Sequence, residues 1–541
     1  MTQPGQNRGY LHGAAILAAA VAIVKIIGAV FRILLGNIVG AEGLGIFGVT
    51  HGIYALLLAV STAGLPVALS KMVASANALG RPLQVRRVFT ISRNTFLILG
   101  LVSFLIMALF HQQLAALSGS PSTAYPILAL SPAVLFVCLI SAYRGFFQGH
   151  SHMLPTSVSQ VIEAAGRLFL GLGLAWFLNH QGFPLPISVA GAIFGITVGT
   201  FFSYLYLFFT KRKIGQSKTK DALDTPDSNR RIFRNLLNIA IPLTLGVSVF
   251  SIVTIIDNAV ILRRLQSVGY DYEMARNFYG TYFMTTPLFN LPSSFIIPLT
   301  VALIPAISAF LARGDHLSAK RTSESGLRMT CLLALPASVG LTVLASPIMH
   351  VLYNDFAPQG PGLLAYMGVA AFFLCFFQAT NCVLQAYGFQ RYTVYTLTIG
   401  GIIKIALNWF LLADPRFGIY GAAISTVACY MAICLINMAL VKWRIPSSPS
   451  FFKVFTKPVL CTAVMGGAAW ASYGLFYRLT AVLVGGLDLP RRLFLAVPLT
   501  GAIVLSVATY LFLIIAFKAL RLEDMRMLPK GEKLAKILRI R

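Results

Sequence analysis

The sequence predicts an all-α polytopic membrane protein, and its composition and apolar pattern carry that prediction. Of its 541 residues, 57% are hydrophobic and only 11% are charged, whereas soluble domains carry about 25% charged residues. Apolar stretches recur from Leu11 to Leu520, and a helix needs about 20 apolar residues to cross the hydrocarbon core. Transmembrane strands would instead show segments of about ten residues with alternating hydrophobicity. The spans are therefore expected to be helical.

Fourteen apolar segments fit this pattern. They are residues 12–36, 45–70, 88–110, 124–143, 156–178, 187–210, 236–262, 277–311, 329–353, 362–387, 392–412, 419–441, 458–477 and 493–517. The first segment is too long for the apolar core of a signal peptide and lacks a small-residue cleavage site. We therefore expect it to be a retained first helix. In 45–70, Pro66 is expected to kink the helix because it removes a backbone donor.

The hydrophilic segments divide these spans into two groups of six and a final pair. We expect an N-lobe (1–210), a cytoplasmic linker (211–235), a C-lobe (236–442), a final helix pair (443–520) and a basic cytoplasmic tail (521–541). The linker is polar and carries charges of both signs, which is typical of a solvated connection.

The two groups of six show weak internal similarity. The Leu-Pro and Ile-Pro turns at Pro66 and Pro305 lie 239 residues apart, and Gly149 and Gly388 have the same separation. Each half contains an even number of spans, so the halves would be parallel repeats related by an axis along the membrane normal. Chance similarity among apolar helices is the alternative.

The net charge of +27 has a topological explanation. With the N-terminus inside, only seven of the 43 Lys and Arg residues fall in outer segments, as the positive-inside rule requires. We therefore expect both termini to lie in the cytoplasm and the basic segments to meet the anionic headgroups of the membrane lipids. The charge is therefore not a signal for nucleic acid binding.

No motif for catalysis or for a cofactor stands out. There is no phosphate-binding Gly-Lys-Ser/Thr loop, no His-Glu-x-x-His and no hydrophilic domain of ATPase size. The seven cysteines all fall in predicted spans and outside any metal-ligand pattern, so we interpret them as small buried apolar residues. We expect a transporter rather than an enzyme, driven by a Na⁺ or H⁺ gradient, by the membrane potential or by the substrate's own gradient.

Two cations on the first predicted span are the sharpest functional signal. Lys25 and Arg32 are seven residues apart, so on a helix they project within about 20° of each other. A charge at membrane depth costs roughly 2.5–3.5 kcal/mol on insertion scales and usually faces a watery cavity or a partner. We interpret the pair as an anion-binding wall, with snorkelling of both side chains toward opposite interfaces as the alternative.

A second set of charges lies on the fourth and fifth spans. Glu163 and Arg167 are four residues apart, which is the spacing of a helical ion pair. Either the two charges neutralise each other, or Arg167 lines a cavity. Arg144 lies close to a span end and is a further cavity-lining candidate, with snorkelling as its alternative.

Asp257 on the seventh span and Lys404 and Asn408 on the eleventh form a third candidate set. A carboxylate at that depth needs a cation, a proton or a group of donors. Asp257 and Lys404 either form a fixed internal ion pair, or Asp257 is a titratable or cation-binding switch that biases two conformations. Both alternatives stay open.

Several stretches resemble one family. They are KIIGAVFRILLGNIVGAEGLGIFGV (25–49), GLPVALSK (64–71), RGFFQGHSHMLPTSVSQVIEAAGRL (144–168) and LIPAISAF (303–310). Together they resemble the polysaccharide-export branch of the multidrug/oligosaccharidyl-lipid/polysaccharide exporter superfamily, and within it the stage V sporulation protein B group and the related MurJ-type lipid II flippases. The resemblance extends from about Tyr10 to about Leu520.

The resemblance implies two six-helix lobes in a V around a central cavity, with helices thirteen and fourteen forming a groove for a polyprenyl tail. It implies that an undecaprenyl-pyrophosphate-linked oligosaccharide, in the closest relatives the peptidoglycan precursor lipid II, moves from the inner to the outer leaflet by alternating access. Lys25 matches an essential arginine of MurJ-type proteins, and Arg32 lies within one residue of a second. Both, with help from Arg167, would then contact pyrophosphate.

The chain also departs from this family. The regions matching further arginines on the second and eighth helices, Val60-Ser61 and 286–290, contain no cation. Some members bind sodium through an aspartate on the seventh helix and an Asn and Asp pair on the eleventh. Asp257 matches the first, but the pair appears as Lys404 and Asn408, so a tethered ammonium replaces the sodium in our interpretation.

The remaining alternatives are a multidrug/cation antiporter of the same superfamily and a flippase for another lipid-linked polysaccharide unit, including one used in sporulation. Antiporters of this superfamily typically stop at twelve spans, and a cation-lined helix suits cationic drugs poorly. A membrane glycosyltransferase would need larger polar outer loops than 36–45, 111–125, 179–186 and 353–362. We expect a monomer with no bound cofactor.

Overall fold

The computed structural model describes residues 4–62, 64–213, 225–445, 448–484, 490–520 and 524, and every regular element within them is a helix. The α-helices are α1 (Pro4–Thr62), α2 (Leu65–Ala78), α3 (Pro82–Leu109), α4 (His111–Leu117), α5 (Ala124–Gly149), α6 (Met153–Gly166), α7 (Leu172–His180), α8 (Leu185–Lys213), α9 (Asn229–Ser267), α10 (Tyr272–Ala312), α11 (His316–Val343), α12 (Ala345–Leu352), α13 (Gly360–Ala386), α14 (Gln390–Leu411), α15 (Tyr420–Arg444), α16 (Phe451–Val484) and α17 (Arg491–Ala516). A π-helix (Arg167–Gly171) joins α6 to α7.

Twelve helices among the described residues are long and apolar enough to span a membrane. The first runs over Ala19–Ala59 and contains most of the first predicted span, 12–36, and more than half of the second, 45–70. The predicted span 236–262 lies inside α9, which is not among the twelve. The predicted all-helical membrane architecture is confirmed, whereas the exact number of fourteen spans is not.

Two glycines interrupt the N-terminal helices. Gly40 lies inside α1 with φ 69°, a left-handed conformation that favours glycine. Gly64 separates α1 from α2, and a Cβ at this position would lie 2.1 Å from the Ala240 carbonyl oxygen. Pro66 falls in the first turn of α2, where its missing N–H leaves no hydrogen bond unmade. The kink expected at Pro66 is therefore a boundary between two helices.

Two compact units make up the chain. Unit 1 comprises residues 1–266 and 271–280, and unit 2 comprises 267–270 and 281–541. In unit 1, α3, α4 and α5 have 28, 7 and 26 residues, and in unit 2 the consecutive α11, α12 and α13 have 28, 8 and 27. This matching order supports the predicted internal repeat. The lobe and linker boundaries stay predictions.

The core of unit 2 includes the last two helices. Buried side chains from α10, α11, α13, α15, α16 and α17 form one apolar cluster, in which Phe376 and Cys461 have no exposed surface. The helices that follow the repeat therefore contribute to the packing of the unit. All seven cysteines are free and buried, which confirms their interpretation as small apolar residues.

Candidate functional site

Lys25 and Arg32 lie on the protein-facing side of α1. Both are partly buried, whereas Ile23, Val30 and Leu34 on the roughly opposite face are 40% to 48% exposed. An apolar exposed stripe is what a helix presents to lipid. The positions of the two cations therefore fit a wall that faces the interior of unit 1 rather than the bilayer.

His51 is the neighbour of Arg32. The Arg32 Nη2 and His51 Nε2 atoms are 3.5 Å apart, although the residues are 19 positions apart and a straight helix would separate them by about 28 Å. The break at Gly40 folds the two stretches of α1 back on each other and brings these side chains together. The His51 ring stacks on Phe47 with centroids 5.8 Å apart.

Glu163 on α6 is shared by two arginines. Its Oε2 accepts a hydrogen bond from Arg144 Nη2 at 3.2 Å, and its Oε1 lies 3.8 Å from Arg167 Nη2. Arg144 Nε also donates to Ser159 Oγ at 2.9 Å. The three charged side chains are 17% to 21% exposed. The expected Glu163–Arg167 pair is present, but Arg144 makes the closer contact.

The backbone around Arg167 is unusual. Arg167 opens the π-helix Arg167–Gly171, a rare conformation that is frequent at functional sites. The π-helix packs on α8 through glycines: a Cβ at Gly195 would lie 2.2 Å from the Gly171 amide nitrogen. Glycine on both helices permits this close approach, and the approach in turn fixes the position of Arg167.

Two polar atoms on this face of the fifth predicted span are buried and have no hydrogen-bond partner among the residues that the structure describes. They are Arg167 Nε and Gln160 Oε1, and their residues are seven positions apart. Buried donors and acceptors are satisfied in the great majority of cases. These two atoms therefore leave hydrogen-bonding capacity for a ligand or for water at the site.

The two groups of charges form one cluster in unit 1. The charges of Arg32 and Arg167 both act on the His51 imidazole. The neighbouring Tyr54 hydroxyl is in turn within the electrostatic influence of Glu163, Arg167 and Arg144. Arg144 and Arg167 share the Glu163 carboxylate, so this part of the cluster has an excess positive charge. The arrangement is suited to binding an anion.

Asp257, Lys404 and Asn408 fall in different units. Asp257 is buried in α9 of unit 1. In unit 2, Asn408 on α14 is fully buried, and its Oδ1 accepts a hydrogen bond from Ser425 Oγ at 2.6 Å. Lys404 lies one turn earlier on the same helix and is partly buried. The fixed pair and the switch both stay predictions.

His51, Ser159 and Gln160 belong to the site but are not among the residues predicted from the sequence. A histidine inside an apolar span is itself a signal for a functional group at membrane depth, and His51 carried that signal. Ser159 and Gln160 had none, because a single hydroxyl or amide in a helix commonly bonds locally. Their roles depend on which side chains the packing places beside them.

The polysaccharide biosynthesis protein family matches residues 10–311, more than half of the chain, and the MatE family matches residues 242–410. Stage V sporulation protein B of Bacillus subtilis (strain 168) is 28% identical over 530 residues, covering 96% of this chain and 98% of that protein. The lipid II flippase MurJ of the same organism is 28% identical over 484 residues, covering 84% and 87%.

Solved structures share the fold. A structure of the lipid II flippase MurJ in an inward closed conformation has a TM-score of 0.67 at 16% identity, covering 93% of this chain and 98% of that one. An inward-facing MATE family transporter of the MOP superfamily has a TM-score of 0.63 at 16% identity, covering 78% and 98%. At these identities the structures establish the fold alone. The chain belongs to the polysaccharide biosynthesis protein family and is a multi-pass membrane protein similar to stage V sporulation protein B and to the lipid II flippase MurJ.

Proposed function

We propose that the chain is a flippase that moves an undecaprenyl-pyrophosphate-linked oligosaccharide, the peptidoglycan precursor lipid II, from the inner to the outer leaflet of the bacterial cytoplasmic membrane by alternating access. The observation that carries the proposal is the cationic cluster of unit 1, in which Arg144 and Arg167 share one carboxylate beside Arg32 and His51. The similarity to a lipid II flippase and to stage V sporulation protein B supports it.

The cluster provides the chemistry that a pyrophosphate needs. Guanidinium groups bind phosphate oxygens through paired, charge-assisted hydrogen bonds. Arg167 has an unused buried donor at Nε, and Arg32 and His51 add nitrogen atoms nearby. The polyprenyl chain is as apolar as the bilayer and gains nothing by leaving it. In this proposal the protein therefore carries the polar head, while the lipid tail stays in the membrane.

The energy source is proposed to be the membrane potential, an H⁺ gradient or the consumption of lipid II outside. A sodium ion fits this chain poorly, because Lys404 places an ammonium one turn from Asn408, where like charges repel. We propose that the protein acts as a monomer without a bound cofactor and that its basic cytoplasmic segments contact anionic lipids.

A cation antiporter is the second candidate, because the MatE family matches residues 242–410. The cluster of unit 1 counts against it, since excess positive charge repels a cationic drug. A flippase for a different undecaprenyl-linked unit would use the same cluster, because the pyrophosphate is common to such lipids.

The proposal is tested by complementation of a strain depleted of its lipid II flippases, with outer-leaflet lipid II as the readout. The wild-type chain should restore it. Arg32→Ala and Arg167→Ala should each reduce it about tenfold, the effect of losing roughly 1.4 kcal/mol of charge-assisted binding. Arg231→Ala is the matched control, because the Arg231 side chain is 71% exposed in its pair with Asp227.

Full activity of the Arg32→Ala/Arg167→Ala double variant would refute the role of the cluster. Absence of rescue by a wild-type chain that is correctly inserted would refute lipid II as the substrate. The same assay with another undecaprenyl-linked unit would then identify the alternative substrate.

A further inference from the structure

The carboxylate of Glu163 makes a closer contact with Arg144 than with Arg167. The Arg144 guanidinium donates to Glu163 Oε2 at 3.2 Å and to Ser159 Oγ at 2.9 Å. Ser159 is fully buried and its hydroxyl donates to the Thr156 carbonyl at 2.7 Å. Arg144 is therefore fixed at two points. Arg167 Nη2 lies 3.8 Å from Glu163 Oε1, which exceeds hydrogen-bond distance and leaves only a Coulombic attraction.

Arg167 has hydrogen-bonding capacity that the protein leaves unused. Its Nε is buried and has no hydrogen-bond partner within the described part of the chain. A guanidinium has five N–H donors in a fixed fork, and its fork matches the spacing of two phosphate oxygens. The side chain stands at the first residue of the π-helix. Arg167 is thus positioned by its backbone but is not held by its own hydrogen bonds.

The charges favour a second anion at this place. Arg144 and Arg167 bring two positive charges to one carboxylate, and Arg32 lies close enough that its charge and that of Arg167 both act on His51. A carboxylate at 3.8 Å reduces the attraction of Arg167 for any incoming anion, because its negative charge offsets that of the guanidinium and repels the anion. It also shields a partly buried guanidinium while the site holds no substrate.

We propose that Glu163 is a placeholder anion for the substrate's phosphate. In the resting site its carboxylate keeps Arg167 partly neutralised; on binding, a phosphate oxygen takes the Arg167 donors, while Arg144 stays anchored to Glu163 and Ser159. This assigns Glu163 as a positioning residue that limits affinity so that the lipid-linked pyrophosphate is released after transport. The inference rests on the proposed function and deepens it.

The placeholder role makes an unusual prediction for Glu163→Gln. Removing the competing charge should tighten binding of inorganic pyrophosphate and of undecaprenyl pyrophosphate to the purified full-length chain in nanodiscs by about tenfold. Transport in cells should fall, because release becomes slower. A residue with only a structural role would instead weaken binding when it is replaced. The gain should disappear in Glu163→Gln/Arg167→Ala, because Arg167 is the group set free.

A conservative variant protects the test against a folding defect. Glu163→Asp keeps the charge but shortens the side chain by one methylene, which lengthens its distance to Arg167 and should give a smaller gain in affinity. Thermal unfolding of each variant in the same nanodiscs reports whether it is folded. Arg231→Ala is the control, and its affinity for pyrophosphate should equal that of the wild type.

The outcomes separate the two proposals. Tighter binding that depends on Arg167 supports the placeholder. If the wild type binds pyrophosphate and folded Glu163→Gln and Glu163→Asp bind it no more tightly, the placeholder role is overturned. The flippase proposal then stays in place. Failure of the wild type and of both variants to bind either pyrophosphate probe overturns both.

Discussion

Each unit contains an arginine–carboxylate site, and the two sites are built differently. In unit 2, Arg328 donates to Asp524 through Nε at 2.8 Å and Nη2 at 2.5 Å, and Ser325 Oγ donates to the same carboxylate. The Arg328 and Asp524 side chains are 3% and 0% exposed. In unit 1, Glu163 serves two arginines at 3.2 Å and 3.8 Å, and all three side chains are 17% to 21% exposed.

The difference indicates which site is structural and which is suited to a ligand. One carboxylate matched to one guanidinium by two parallel hydrogen bonds leaves little capacity for another group. Such a pair has a structural role, because it joins Arg328 of α11 to Asp524 of the predicted basic tail 521–541. Across the described ranges, the site of unit 1 has more cations than carboxylates, a donor without a hydrogen-bond partner and side chains that are partly exposed, which are properties of a binding site.

The largest expected effect is a loss of stability when the carboxylate of the unit 2 site is removed. Asp524→Ala leaves the Arg328 charge buried without its carboxylate and should cost about 3–5 kcal/mol of unfolding free energy. Thermal unfolding in detergent measures it, with Arg328→Met/Asp524→Leu as the matched variant. The double variant should regain most of the loss, since apolar groups can replace a buried pair. A single variant as stable as the wild type would mean that the pair is dispensable.

The middle effect distinguishes the two arginines of unit 1. Arg144→Ala removes hydrogen bonds to Glu163 and Ser159 and should cost about 1–2 kcal/mol, measured by the same unfolding assay. Arg167→Ala should cost less, because its contact is Coulombic and partly exposed. Arg231→Ala should change stability by at most about 0.5 kcal/mol. A larger loss for Arg167→Ala than for Arg144→Ala would contradict the assignment of Arg144 as the anchored partner.

The smallest expected effect is on the stability that a third carboxylate contributes. Among the described residues, the hydrogen bond of this carboxylate comes from a backbone amide and not from an arginine. Asp315 caps α11 and accepts a hydrogen bond from the Ser318 amide at 2.9 Å, and the Ser318 side chain and this amide together lower the pKa of the carboxyl. A lowered pKa stabilises the folded state above the ordinary value of 3.8, and the stabilisation is lost as the pH falls through the lowered value. Asp315→Asn should therefore be slightly less stable than the wild type at pH 7.

The pH dependence is the decisive part of that measurement. The difference in melting temperature between Asp315→Asn and the wild type should stay constant from pH 7 to about pH 5, shrink as the pH falls below the ordinary pKa of 3.8, and disappear only below the lowered pKa, where the folded-state aspartate becomes neutral. If the difference in melting temperature persisted below the lowered pKa, the cap would act through the shape of its side chain and not through its charge.

Much of the candidate site follows from helical periodicity. Lys25 and Arg32, and Glu163 and Arg167, are neighbours on single helices, so their spacing predicts a common face before any packing is known. His51 was accessible by the same reasoning, because an ionisable group inside an apolar span is rare. The π-helix at Arg167 was not, because it depends on the close contact of Gly171 with Gly195 on another helix.

The sequence by itself determined the class of the protein and the cations at membrane depth, because hydrophobic length and charge placement are local properties. Only the tertiary structure decided which charges meet. Arg32 reaches His51 through the break at Gly40, Arg144 reaches Glu163 across two helices, and Arg328 reaches Asp524 over 196 positions. Periodicity specifies the face of a helix on which a side chain lies, but the packing of the helices determines which residues that face contacts.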